Sequence, residues 1–362
     1  MINELVIHLG DTKTGSTSIQ KALVQKAYEL PGKSICYPTR NNHIAMAKTL
    51  SQARRAGQRE TRFRRVAAAL SRSDADYGVI SAEHFQFVDP QVFAEAIEAY
   101  WPDFKDRIRL VAYVRPHPDK LVSAFSERVK LGSAMESFTD FCDTLSEKRA
   151  IEYLPRFRKW REVFGSRFTL RPFVREELFR EDAVSDFFRV LLQNEDFRIA
   201  GGISANTSLT LPQLALLRET HKTFTARLKA RDLSRTAEII EARSAMGRTV
   251  SERLRASGLG GNGAKFRIPE RLAAGIARRY REDAEALDAE FFAGTPMADA
   301  LDRIASKTTA AAQSLNAGDH FSQDTVASFQ IFAGLLSDML LDDPKGFMKK
   351  AGQTRIMLAA AE

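Results

Sequence analysis

Apolar positions along this chain fall into two alternating rhythms. Leu5, Val6, Ile7 and Leu9 form a short run closed by Gly10, and comparable runs occur at 77–81, 108–114 and 168–174. Runs of this length, bounded by glycine, proline or polar clusters, predict buried β-strands. The 108–114 run is apolar on both faces apart from Arg109, as a central parallel strand requires. A further short strand is predicted at 34–38, stopped by Pro38. Between these runs, apolar residues recur at helical spacing: Ile19, Leu23, Val24, Ala27 and Leu30; Ile44 to Leu50; Val92, Phe93, Ala96 and Ile97 behind an Asp89-Pro90 start; Leu121, Val122, Phe125 and Val129; and a segment ending near Gln193. Strands alternating with helices predict an α/β fold with a three-layer parallel sheet.

From about Ala200 the strand rhythm fades, and helical patterns rich in Ala, Arg, Leu and Glu take over. The stretch from Gly258 to Arg267 reads as a flexible connector, and a second interruption lies at 316–319. These shifts predict an α/β core over 1–200 and a mainly helical part over 201–362, packed on the core. The apolar segment 329–341 fits that packing and leaves room for peripheral membrane contact or a second subunit.

Composition narrows the partners. The chain has 362 residues, 44% of them hydrophobic, with a net charge of +8 and a pI near 9.5. That charge favours anionic partners without choosing among nucleotides, acidic glycans, nucleic acid and lipid surfaces. The stretch 51–72 holds Arg54, Arg55, Arg59, Arg62, Arg64, Arg65 and Arg72. It also holds Phe63, Val66, Ala67 and Leu70 at helical spacing, so the arginines are expected on a solvated helix face. Two cysteines, Cys36 and Cys142, allow no disulfide framework or zinc pattern and are expected to be buried thiols. The first strand begins almost at Met1, and no uncharged apolar run is long enough to span a membrane, so a soluble cytoplasmic protein without a transmembrane segment is expected.

Candidate chemistry gathers where the predicted strands end. Lys13, Thr14, Gly15, Ser16, Thr17 and Ser18 lie between the first strand and the first helix. The open N–H groups of a helix's first turn favour an anion, Gly15 permits close approach, and Lys13 adds charge. The order differs from an ordinary P-loop, in which lysine follows the second glycine. Glu83 and His84 follow the 77–81 strand, and Arg115 follows the 108–114 strand, with Ser123 eight residues further on. An arginine fork with a hydroxyl suits a monophosphate. Ligands of open parallel sheets bind at this carboxyl edge.

The Lys13-Thr14-Gly15-Ser16-Thr17 loop resembles the 5′-phosphosulfate loop of sulfotransferases that use 3′-phosphoadenosine 5′-phosphosulfate (PAPS). The segment from Val111 through Arg115 and Pro116 to Ser123 resembles their 3′-phosphate segment. Weaker similarity to bacterial relatives of the carbohydrate sulfotransferases lies in Tyr37-Pro38 with Asn42-His43, in Ser81-Ala82-Glu83, in Arg171-Pro172-Phe173 and in 266–292. The resemblance implies a P-loop-like sulfotransferase sheet and transfer of a sulfuryl group from PAPS to a hydroxyl or amine, with a glycan or glycolipid as acceptor. Lys13 to Ser18 would hold the 5′-phosphosulfate, and Arg115 with Ser123 the 3′-phosphate. Lys13 would neutralise the leaving oxygen, and Glu83 would be the base, with His43 and His84 as rivals. No metal is implied, because Arg115 stands where an NTPase offers a magnesium-binding Asp. Two other readings compete: a divergent P-loop kinase or NTPase, and a basic module binding nucleic acid or membrane. For the latter, no helix-turn-helix, zinc-finger or stacking-aromatic signature is read in the sequence.

Overall fold

The structure is a computed structural model that describes residues 1–193, 196–200 and 208–361. In chain order its regular elements are β1 (Glu4–Gly10), α1 (Ser16–Gln25), β2 (Tyr28–Glu29), β3 (Ile35–Cys36), α2 (Ile44–Ser51), α3 (Arg59–Ser71), β4 (Tyr77–Ser81), α4 (Pro90–Tyr100), β5 (Ile108–Val114), α5 (His117–Leu131), α6 (Phe138–Glu147), α7 (Leu154–Phe164), β6 (Phe168–Pro172), α8 (Ala183–Leu192) and β7 (Arg198–Ile199). They continue as α9 (Leu211–Ala230), α10 (Ala237–Ser257), β8 (Ile268–Pro269), α11 (Ala273–Phe291), α12 (Pro296–Asp302), β9 (Thr308–Thr309), α13 (Gln323–Asp342) and α14 (Pro344–Ala361).

Two compact units share these elements and interleave in sequence. One holds Met1–Lys120, Ile151–Asn206 and Ala277–Arg303; the other holds Leu121–Ala150, Thr207–Ile276 and Ile304–Glu362. The division expected near residue 200 adjoins 201–207, outside the described residues.

The first unit is built on a five-stranded parallel sheet in the order β3-β4-β1-β5-β6. Alternation along the strands sends Val6, Val79, Val111 and Tyr113 to one face, where they pack with Ile19 and Leu23 of α1 and Phe187 and Leu191 of α8. The other face carries Gly78, where a Cβ would stand 2.8 Å from Leu70 of α3, so glycine lets that helix come close. On the same face Phe168 meets Phe157 and Trp160 of α7. Arg109, the charged exception in β5, pairs with Glu4 and donates to the carbonyls of Val190 and Leu191, capping the end of α8. The arginine-rich stretch divides at Arg59 into a short 3₁₀ segment and α3, which buries Phe63, Val66 and Leu70 and leaves its arginines outward, as the pattern requires.

The second unit is largely helical. Phe224, Leu228, Ile239, Ala242, Met246, Leu340 and Leu341 form its core from α9, α10 and α13. A Cβ at Gly247 would lie 1.9 Å from the Lys130 carbonyl oxygen, so α10 crosses the end of α5 at backbone contact. The 258–267 stretch is not a free connector. The Gly260 carbonyl accepts from Thr210 Oγ1 at 2.7 Å, and the Ala264 carbonyl accepts from the Leu211 N–H at 2.7 Å, folding the turn onto the start of α9. Within α13, Ala333, Gly334, Ser337, Leu340 and Leu341 are buried, while Ile331 and Phe332 are 73% and 65% exposed. On length and composition alone this helix could cross a membrane, although it carries Asp324, Asp338 and Asp342. Cys36 and Cys142 are unbridged and half-buried, not fully buried as expected.

Candidate functional site

The carboxyl edge of the sheet brings several of the expected residues together, and glycine geometry explains how. Gly10 ends β1 at φ 86°, and a Cβ there would lie 2.7 Å from Glu83 Cα. The exits of β1 and β4 therefore touch, which sets Glu83 beside the Lys13 loop. Lys13 and Gly15 also adopt left-handed backbones, at φ 68° and 75°. A loop of this kind turns successive N–H groups toward a common concavity, an anion-binding arrangement. Gly15 is the N-cap of α1, which has no side-chain cap and no acidic residue in its first turn. The helix dipole there meets no acidic side chain within that first turn.

The hydroxyls divide by role. Thr14 Oγ1 and Ser16 Oγ both donate to the Asp11 carbonyl, at 2.7 and 3.1 Å, and so brace the loop from within. Each hydroxyl proton is committed there, and the backbone N–H groups are the donors that face outward from the turn. Thr17 and Lys13 are exposed, and Ser18 is half-buried.

Beneath the loop sits an ionic network that sequence reasoning missed. Asp11 is 3% exposed, and both its oxygens receive the Arg156 fork at 3.1 and 2.9 Å. Lys120 Nζ approaches the same carboxylate at 3.4 Å and donates to the Thr12 carbonyl and hydroxyl at 3.2 and 3.0 Å. Burial alone would raise the Asp11 pKa, but Arg156 and Lys120 outweigh it and hold it at about 2. The available signal was a single acid directly after an apolar strand, which a buried site must match with a cation.

Arg115 joins the site through Phe173. Its guanidinium lies 4.9 Å from the centroid of that ring, and the ring edge would lie 3.3 Å from a Cβ at Gly15. The loop glycine and the arginine thus border one aromatic side chain. Burial lowers the Arg115 pKa, and Asp119 works against that shift. Ser123 lies on α5 in the second unit. Arg171 is taken up by the buried Asp186, to which it donates at 2.6 Å, and so anchors α8 to the sheet.

The three candidate bases differ sharply. Glu83 is half-buried and accepts from Gln20 Nε2 at 3.1 Å through Oε2, while the same amide donates to Ser81 Oγ at 3.1 Å. His43 is 4% exposed, and its Nδ1 accepts the Ser81 backbone N–H at 3.2 Å. That bond places the ring proton on Nε2 and engages the Nδ1 lone pair, and burial holds the pKa at about 4, which makes this imidazole a weak base. His84 pairs with Ser51 Oγ at 2.8 Å, and burial together with Lys48 and Arg55 lowers its pKa to about 4. His8 Nδ1 meets the Ser81 hydroxyl at 2.8 Å inside the sheet, which makes Ser81 the hub between His8, Gln20 and His43.

Comparison with known protein families, with curated proteins and with solved structures finds no match.

Proposed function

We propose that the chain is a sulfotransferase of the P-loop-like type, transferring a sulfuryl group from PAPS to a hydroxyl or amine of a glycan or glycolipid. The observation that carries the reading is the shared contact of Gly15 and Arg115 with Phe173. It borders one aromatic side chain with an uncapped helix start and an arginine fork, as a ligand with two separated anionic groups needs. When bound, this nucleotide supplies the activated sulfuryl group. The first-turn N–H groups of α1 hold the 5′ end, and Lys13 stabilises negative charge growing on the leaving oxygen, a contribution of roughly 3–4 kcal/mol for one well-aimed donor. Arg115 grips the 3′-phosphate. Glu83 takes the acceptor's proton as the acceptor–sulfur bond forms and the bond to the phosphate oxygen breaks. Gln20 holds Oε2 of that carboxylate and leaves Oε1 for the acceptor.

Asp11 weighs against a divergent kinase using a magnesium triphosphate. It is the carboxylate of the loop, and both of its oxygens are already bonded to Arg156. Thermal unfolding separates the readings. With 3′-phosphoadenosine 5′-phosphate at about 100 times its Kd, stability rises by roughly 2.7 kcal/mol, a shift of a few degrees. A shift with ATP and magnesium but none with the bisphosphate defeats the proposal, as does a shift with duplex DNA alone.

A further inference from the structure

The second unit contains a cleft of about 700 Å³, a size that suits a small organic ligand. Its floor is aromatic: Phe125, Phe138 and Phe266 meet with ring centroids 5.0–5.2 Å apart. Its rim carries both signs of charge, from Arg218 and Arg271 and from Glu136 and Glu270.

These charges do not cancel one another. Arg218 donates to the Met135 carbonyl, and its Nε is buried with no partner. Arg271 donates to Thr139 Oγ1 at 3.2 Å. Glu136 turns one oxygen onto the Met135 N–H at 2.9 Å. Among the described residues neither arginine is ion-paired, although carboxylates line the same cleft. A wall meant only for solvent would let such side chains pair or extend freely. Here neutral backbone and hydroxyl groups tether the arginines. Unpaired cations and carboxylates around an apolar floor suit a molecule that carries both charges and an apolar body.

We propose that this cleft is a binding site for a small zwitterion with an aromatic body, of the α-amino-acid type. The ligand's carboxylate meets Arg218 and Arg271, its ammonium meets Glu136 and Glu270, and its ring lies on the phenylalanine floor. This site is independent of the function proposed for the sheet edge.

Titration calorimetry on the whole chain tests it with four probes. L-phenylalanine carries every feature, 3-phenylpropionate lacks the ammonium, phenethylamine lacks the carboxylate, and L-alanine lacks the ring. The expected result is saturable binding of L-phenylalanine, with each of the other three weaker by about tenfold or more, the scale of one lost charge-assisted bond or buried ring. Arg271→Gln, at an exposed position, should weaken L-phenylalanine and 3-phenylpropionate while leaving phenethylamine unchanged; Glu270→Gln should do the converse. No saturable binding of L-phenylalanine overturns the proposal. Equal binding of phenylalanine and either single-charge probe also overturns it, and needs no variant to fold.

Discussion

Each unit withdraws an arginine from water, Arg156 partly and Arg243 almost wholly, and they treat it in opposite ways. In the sheet unit, Arg156 is joined to a carboxylate, and the pair sits under the loop after β1. Burial works against its charge, but Asp11 more than compensates and its pKa rises. In the helical unit, Arg243 is 7% exposed, and its partners are neutral: His221 Nδ1 at 3.3 Å, the His221 carbonyl and Thr225. Burial, with Arg235 adding repulsion, pulls its pKa down to about 10. The sheet unit therefore holds its buried charge as a matched network at the candidate site, whereas the helical unit carries one at a net desolvation cost. A matched charge is expensive to break, and an unmatched one is cheap to remove.

The largest expected effect is at the matched network. Asp11→Ala should cost about 3–5 kcal/mol in denaturant unfolding, because it strips Arg156 and Lys120 of the carboxylate they share. If that loss is below about 1 kcal/mol, the network is ornamental and the contrast fails.

Acid comes next and reaches both units. His43 and His221 each have a pKa of about 4 in the folded chain, set chiefly by burial, against an ordinary 6.5. Between those values the unfolded chain binds more protons, so stability is complete above about pH 6.5 and is lost as pH falls toward 4. Each group contributes about 3 kcal/mol to that loss. His43→Gln, whose amide oxygen can still accept the Ser81 N–H, should flatten the acid limb of a stability–pH curve; an unchanged slope would show that His43 does not titrate there.

Arg115→Ala is the third test and concerns binding. It should weaken 3′-phosphoadenosine 5′-phosphate by about 10- to 100-fold and adenosine 5′-phosphate far less. Equal losses would remove Arg115 from the 3′-phosphate. The smallest effect belongs to the unmatched charge: Arg243→Met should change stability by no more than about 1 kcal/mol in either direction. A loss comparable to that of Asp11→Ala would mean that Arg243 is matched after all.

Most of the sheet could be read from the chain, because β1, β4 and β5 are covered on both faces and demand nearly continuous apolar side chains, while the edge strand β6 alternates buried and outward positions. Asp89 as the cap of α4 was equally legible: its side chain accepts from the Gln91 N–H. The two-residue pairing of β2 with β7 was not, since so short a ladder leaves no periodicity. The local geometry of the candidate site was legible, as in the glycine that follows Lys13 and opens α1. It was hidden where partners are distant in sequence: Arg156 lies 145 residues from Asp11, and nothing in its neighbourhood marks it. His43 looked like a base by residue type, and the Ser81 N–H on Nδ1, which comes from 38 residues away, has no local signal in the sequence.

Lys13 has a consequence for anyone rewriting this sequence. Its backbone, at φ 68°, is one that glycine adopts without strain and that costs other residues roughly 1–2 kcal/mol. A design procedure rewarded only for thermal robustness would place glycine or asparagine at position 13 and score the change as an improvement. It would also delete the cation at the mouth of the loop. Of the non-glycine residues with such a backbone, Lys13 is the one that the proposed function would hold fixed in any stabilised variant.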